Sequence, residues 1–190
     1  MRAPEPLFDA GLRRLRRGRA RREGGDADYL YRRAADELLD RLDLVARPFS
    51  RALLLGEPHL AAPLAARGIE PVVGEVEDLP DARDFDLVLA LGLLDTIDDL
   101  PGALLLIRRA LRPDGLFLAA FAGAGSLPRL RRALRAAEEA EDLGAAPRIH
   151  PQIDVRAAGD LMMRAGFALP VVDREIVEVR YSSLLRLVAD

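Results

Sequence analysis

The order of hydrophobic and polar positions predicts strands that alternate with helices. Four short apolar runs are typical of strands buried on both faces, and between them apolar residues recur every three or four positions, as in helices. This alternation predicts an α/β fold with a mostly parallel sheet covered on both sides. The predicted strands are 52–55, 72–73, 85–90 and 116–121, and the predicted helices are 7–22, 30–42, 101–111, 126–142, 154–165 and 182–189.

Turn residues and caps divide these elements. Asp26 or Asp28 is expected to cap the second helix, and Asp154 a later one, because a carboxylate accepts the free N–H groups of a first turn. Two further segments, 167–172 and 176–181, read as extended strands. We expect a helical N-terminal extension over 1–45 and one α/β domain over 46–190.

Composition excludes several classes of site. The chain of 190 residues has no Cys and two His, which excludes disulfides and thiolate metal sites and argues against a His-rich metal centre. No apolar run approaches the ~18 residues of a membrane span, and the Arg-rich start lacks the apolar core of a signal peptide. The expected protein is cytoplasmic, without a metal and without a membrane span.

Charge is distributed unevenly along the chain. Residues 1–22 hold eight Arg against two acids, a local charge of +6, whereas the remainder carries −9. Such a basic arm folds back onto the acidic body, reaches for an anionic partner such as RNA or lipid, or is a merely solvated helix. Phe8 is the single aromatic residue in the arm, whereas RNA recognition relies on stacking, so nucleic acid is not the expected partner.

The first strand, turn and helix, residues 53–63, begin a resemblance to class I S-adenosylmethionine-dependent methyltransferases. The segment 73–80 (Val-Gly-Glu-Val-Glu-Asp-Leu-Pro) resembles the one whose first acid contacts the adenine amine in that family. Stretches 107–117 and 164–170 are closer still. With Leu-Phe-Asp at 7–9, they resemble the subgroup of the biotin-pathway malonyl-carrier-protein methyltransferase and the complex I assembly factor that hydroxylates an arginine. The resemblance implies a Rossmann-like fold and S-adenosylmethionine as cofactor.

The resemblance assigns three cofactor-binding candidates, Gly56, Glu57 and Glu75. Gly56 ends the first strand, Glu57 follows it in the turn, and Glu75 takes the adenine position. Alternatively, Gly56 serves only the turn, and Glu75 is an exposed acid at the end of a strand. No catalytic residue is assigned. His150 is either a surface histidine or a substrate-side acid or base. The acids at 95, 98 and 99 are either helix caps or cation ligands.

Several positions depart from the family pattern. Leu54 stands at the acidic position of the first strand, Glu57 and Pro58 replace turn residues, and Pro63 moves the predicted helix start to about Ala62. About one strand and one helix, with the acid that grips the ribose, are missing before residue 69. A reduced sheet is therefore expected, and S-adenosylmethionine binding is expected to be weak or lost.

Two functions follow. The first is a methyltransferase-like protein with an altered cofactor site and a small-molecule or protein substrate. The second is a non-catalytic module that keeps the fold for binding or assembly. The family's last antiparallel strand has no counterpart before Asp190, which leaves a place beside the strand at 116–121. We therefore expect a protein partner, most simply a second copy of the chain.

Overall fold

A computed structural model describes residues 6–23, 28–79, 84–142, 144 and 149–189. It contains four strands and seven α-helices in these ranges, and none of the helices is long and apolar enough to cross a membrane. The strands are β1 (Arg51–Gly56), β2 (Glu70–Gly74), β3 (Phe85–Leu91) and β4 (Leu111–Ala120). The helices are α1 (Ala10–Glu23), α2 (Tyr29–Asp43), α3 (Ala61–Ala66), α4 (Leu100–Ala110), α5 (Pro128–Ala140), α6 (Val155–Arg164) and α7 (Leu184–Ala189).

The sheet is all-parallel, in the order β2-β1-β3-β4. β2 pairs directly with β1, so the described part of the chain has no strand between them, as the predicted deletion requires. The expectation of a Rossmann-like α/β fold with a reduced, mostly parallel sheet and an N-terminal helix is confirmed.

The apolar runs of the strands build two cores, one on each face of the sheet. Leu53 and Leu55 point to the side of α4 and α6, whereas Ala52 and Leu54 point to the side of α2 and α3. Because successive side chains of a strand face opposite ways, a run without polar residues is buried on both sides. α2 contributes buried leucines to the second core. The domain boundary at residue 45 stays a prediction.

The predicted helix ends agree with the structure in several places. The Asp154 carboxylate accepts the Ala157 N–H at 2.8 Å and caps α6, as expected. α3 begins at Ala61, after a 3-10 turn, close to the expected start. Asp26 lies outside the described residues. Asp28 precedes α2 without a capping hydrogen bond and pairs instead with Arg32 and His59.

The predicted strands over 167–172 and 176–181 are wrong. The chain bends at residues 168 and 169, and residues 170–181 have no regular secondary structure and pair with no strand of the sheet. Leu169 has a left-handed backbone (φ 51°), and Pro170 has no N–H to donate to a neighbouring strand. Both features interrupt a β-strand at these positions. Beyond them, Asp173 and Glu175 form ion pairs with Arg41 and Arg33 on α2. Ion pairs to a helix therefore replace the expected hydrogen bonds to the sheet.

Candidate functional site

The carboxyl ends of the four parallel strands meet at one edge of the sheet, where ligands bind in folds of this kind. Gly56 ends β1 there with a φ of +90°. A Cβ atom at this position would lie 2.2 Å from the Leu91 carbonyl oxygen, which also accepts the Glu57 N–H at 3.0 Å. Gly56 is thus needed for a turn that brings the ends of β1 and β3 together. Whether it also contacts a cofactor stays a prediction.

Glu57 lies in the crevice above this turn and is 5% exposed. Its Oε1 atom is 3.2 Å from Nε of Arg17, which comes from α1. The same guanidinium donates from Nη2 to the Gly92 carbonyl oxygen at 2.6 Å. The side chain of Arg17 is 13% exposed, so a nearly buried ion pair fills the crevice at the ends of β1 and β3.

The N-terminal segment is held across the strand ends by three further contacts. Arg13 donates to the Thr96 carbonyl oxygen at 2.7 Å and forms an ion pair with Glu77. Burial by itself raises the pKa of Glu77, but the hydrogen bond from Arg13 and one from its own backbone outweigh it and hold that pKa below its ordinary value. The Asp98 carboxylate accepts the Leu7 N–H at 2.7 Å. The basic arm therefore lies on the acidic body, one of the three arrangements that the sequence left open.

The Tyr31 ring packs against Gly92 beside the crevice. Gly92 has a φ of +59°, and a Cβ atom there would lie 2.3 Å from the Tyr31 ring. Tyr31 stacks on His59 with 6.0 Å between ring centroids. His59 Nε2 lies 3.0 Å from Asp28 Oδ2, and this hydrogen bond lowers the pKa of Asp28. His59 thus supports the wall of the crevice through Tyr31.

Glu75 follows β2 at the same edge and is half-buried. Its Oε2 atom is buried and has no hydrogen-bond partner among the described residues. Nearby, a groove of about 500 Å³ opens between the arm and α4, with Phe8, Val76 and Ile97 in its lining. An unpaired buried carboxylate oxygen is costly unless a ligand or water satisfies it. Glu75 can therefore accept a hydrogen bond at this edge, and its contact with adenine stays a prediction.

Asp95 and His150 lie together beyond β3 and β4. Burial raises the pKa of Asp95, although its own backbone N–H and the nearby His150 and Arg17 act in the opposite direction. His150 Nε2 is 3.9 Å from Asp95 Oδ2, beyond direct hydrogen-bond distance, and its ring contacts Phe8 edge-on at 5.4 Å. Arg131 anchors this loop by donating to Gln152 Oε1 at 2.8 Å. Asp95 does not cap the following helix; Asp99 does.

The sequence did not single out Arg17 or Arg131, although both position the site. Eight Arg in the arm are equivalent by type, so only their places on α1 distinguish Arg13 and Arg17, which are four residues apart and share one helix face. This four-residue spacing was the sequence signal that could have grouped Arg13 and Arg17. Within the described residues, no group of three or more His, Asp or Glu is placed to hold a metal ion.

Leu54 and Glu57, two positions that depart from the family pattern, lie in and just after the end of β1. Leu54, at the acidic position, is 2% exposed and packs in the core beneath α2 and α3. Glu57 is paired with Arg17, which occupies the crevice. Whether Glu57 also contacts a cofactor stays a prediction.

Comparison with known proteins identifies relatives of the chain. A family model described as a methyltransferase domain matches residues 30–119. The chain is 32% identical to the mitochondrial arginine hydroxylase NDUFAF5 of Danio rerio over an alignment of 212 positions, gaps included. The alignment covers 97% of this chain and 66% of that protein. The chain is also 31% identical over 121 residues to the malonyl-[acyl-carrier protein] O-methyltransferase of Gallionella capsiferriformans, covering 63% of this chain and 40% of that protein. The chain therefore spans two thirds or less of the length of these relatives.

Solved structures share the fold. A Thermotoga maritima protein described as a SAM-dependent methyltransferase matches with a TM-score of 0.51 at 22% identity, covering 75% of this chain and 76% of that one. A Haloferax volcanii methyltransferase-type protein, solved with the Trm112 methyltransferase activator, matches with a TM-score of 0.53 at 18% identity, covering 86% and 77%. At these identities the likeness concerns the fold.

Proposed function

This chain is a methyltransferase-domain protein homologous to the arginine hydroxylase NDUFAF5 and to malonyl-[acyl-carrier protein] O-methyltransferases, and we propose that it binds S-adenosylmethionine weakly or not at all. In this proposal it is methyltransferase-like in fold and works as a binding or assembly module. The observation that carries the proposal is the nearly buried Arg17–Glu57 ion pair in the crevice above Gly56.

The size of the affinity loss follows from the groups that are missing. Leu54 cannot accept a hydrogen bond from the cofactor, and the acid that grips the ribose hydroxyls in the family is missing before residue 69. At least two charge-assisted hydrogen bonds are then absent, each worth about 1.5–3 kcal/mol. A deficit of about 3 kcal/mol is more than a hundredfold in affinity. Moving Arg17 out of the crevice adds to that deficit.

A second candidate function is an S-adenosylmethionine-dependent transferase that becomes competent when α1 moves. The observation that favours it is the buried and unpaired Oε2 atom of Glu75, at the position where the family contacts adenine. The acceptor would be a small acid or a protein side chain. The difference between the two candidates is whether removal of Arg17 exposes a working cofactor site.

Calorimetry separates the candidates. S-adenosylmethionine and S-adenosylhomocysteine are titrated into the whole chain, into Arg17→Ala and into Arg16→Ala, which changes an exposed arginine on the same helix. Our proposal expects dissociation constants weaker than about 100 μM for all three, and no rescue by Leu54→Asp, since the turn also differs. Micromolar binding by the unchanged chain contradicts the proposal. Micromolar binding by Arg17→Ala alone supports the second candidate.

We also propose that the chain works with a protein partner, most simply a second copy. Its support is the outer edge of β4, which has no strand partner in the described ranges, and the exposed apolar side chains of Val171 and Ile176. Light scattering at micromolar concentration tests this, since a clean 20.8 kDa monomer contradicts the homodimer. A cytoplasmic location stays a prediction, because the NDUFAF5 relatives are named as mitochondrial.

A further inference from the structure

Helix α5 carries its charges in the reverse of the order that stabilises a helix. Six exposed charged side chains, which we call the outer charges of α5, are arginines at its start and acids at its end: Arg129, Arg132, Arg135, Glu139, Glu141 and Asp142. A helix has a partial positive charge at its N-terminus and a partial negative charge at its C-terminus, so like charges meet at both ends of α5. The helix also begins after Leu127 without a side-chain capping hydrogen bond. Its own sequence therefore gives α5 little electrostatic support.

The outer charges have no partner in the part of the chain that the structure describes. None of them forms an ion pair or a side-chain hydrogen bond there. Arg135 and Glu139 are four residues apart, the spacing of an ion pair within a helix, yet they form none. The two remaining charged residues of α5 are engaged elsewhere, since Arg131 donates to Gln152 and Glu138 is buried. The outer charges are therefore free to meet a second chain.

The outward face of α5 lets another helix come close to these charges. Leu130 and Leu134 are half-buried and mark the side that faces the domain. The opposite side exposes only short apolar side chains: Ala133, Ala136, Ala137 and Ala140. The distance between two packed helices depends on the side chains at their contact, so alanines permit a close approach. The alanines only permit the contact, and the outer charges determine which chain fits there.

A second copy of α5, running antiparallel, offers the outer charges in the complementary order. Arg132 and Glu139 are seven residues apart, about two helical turns, and so lie on one face of the helix. In a two-fold pair, Arg132 of each chain faces Glu139 of the other, and Arg129 faces Asp142. Both pairs are centred on the same point of the helix, between residues 135 and 136. Each helix then receives at its ends the charges that its own sequence lacks there.

We propose that α5 is the docking surface for a second copy of the chain, with the two helices antiparallel. The contact is confined to one helix of 13 residues, ~20 Å long, so it buries less than the ~1,200 Å² of a stable interface. The association is therefore weak, reversible and sensitive to salt. The proposal goes beyond the proposed function, whose dimer uses the edge of β4 and forms at micromolar concentration, so the two can fail separately.

Sedimentation equilibrium of the whole chain, from micromolar to millimolar concentration, measures the association at low salt and at about 1 M salt, where the Debye length is ~3 Å. Arg132→Glu and Glu139→Arg should each weaken it at least tenfold, because like charges then face each other twice in the two-fold pair. The matched control is Arg156→Glu, which reverses an exposed arginine on α6 and should leave the association unchanged. An equimolar mixture of the Arg132→Glu and Glu139→Arg chains should associate within about threefold of the unchanged chain, because each repels itself and complements the other.

Amide hydrogen exchange locates the contact, since exchange over 128–140 should slow as the unchanged chain is concentrated while exchange in α4 does not change. An association that Arg132→Glu weakens no more than Arg156→Glu overturns the proposal, and so does a mixture that associates no better than its components. If a single variant loses helix content in circular dichroism, recovery in the mixture supports the proposal and the lack of recovery overturns it. A chain that shows no association at millimolar concentration beyond its state at micromolar concentration also overturns it, in favour of a different chain on α5.

Discussion

Truncating Arg17 should destabilise the fold far more than truncating an exposed arginine that also forms an ion pair. In Arg17→Ala, Glu57, which is 5% exposed, loses its charged contact with Arg17 Nε at 3.2 Å, and the Gly92 carbonyl oxygen loses a donor at 2.6 Å. Removing one partner of a buried ion pair costs about 3–5 kcal/mol. Because α1 can move aside and admit water to Glu57, we expect the lower end, about 3 kcal/mol.

Urea titration followed by circular dichroism measures the free energy of unfolding, and a thermal scan measures Tm. For a chain of this size about 3 kcal/mol corresponds to a fall in Tm of roughly 6–12 °C. The control is Arg41→Ala, whose ion pair with Asp173 joins side chains that are 43% and 63% exposed. Exposed pairs contribute about 0–1 kcal/mol, so the control should lose less than ~1 kcal/mol.

The double variant Arg17→Ala with Glu57→Gln completes the test. Neutralising Glu57 removes the buried charge that Arg17 leaves behind, so the double variant should be more stable than Arg17→Ala alone, by about 1–2 kcal/mol. A loss in Arg17→Ala no larger than in the Arg41 control would refute the reasoning, since Glu57 would then find water as readily as a surface carboxylate. Additive effects of the two changes would refute the coupling.

Three further changes test the strand ends. Gly56→Ala should lower the free energy of unfolding in urea titration by about 3 kcal/mol, because φ is positive and the new Cβ would lie 2.2 Å from the Leu91 carbonyl oxygen. Gly68→Ala also has a positive φ but open space around the Cβ, so it should cost about 1 kcal/mol. Equal losses in the two variants would show that the close contact at Gly56 is not the cause. Asp95→Asn should raise the urea midpoint at pH 7, because burial raises the pKa of Asp95 and so disfavours its charged form. The gain should vanish below about pH 3, where the carboxyl group is neutral in both the folded and the unfolded state. A gain that does not change with pH would contradict this cause. Burial alone would raise the pKa of Asp86, but hydrogen bonds from Ser50 and from the backbone N–H of residue 51 lower that pKa overall. Asp86→Asn should therefore cost about 1–3 kcal/mol of unfolding free energy at pH 7, and less as the pH falls below about 4. A loss of stability that grows on acidification would contradict a lowered pKa.

Local signals in the sequence determined most of the fold. Residues 52–55 and 87–91 are apolar without interruption, and a strand with this pattern is expected to be buried on both faces. Asp154 caps α6 through a contact three residues away. Such features depend on neighbours in the chain, so they are readable before any tertiary contact is known. The missing strand between β1 and β2 was readable too, because too few residues separate them.

Only the tertiary structure decided how the site is filled and where the C-terminal segment lies. The arm's charge left three arrangements open, and the composition could not say which arginine would meet Glu57, because that depends on which face α1 turns toward the crevice. The segment 167–181 carries a strand-like pattern, yet a strand exists only with a hydrogen-bonding neighbour. Pattern describes one chain segment, whereas pairing and burial of charge are properties of two segments brought together.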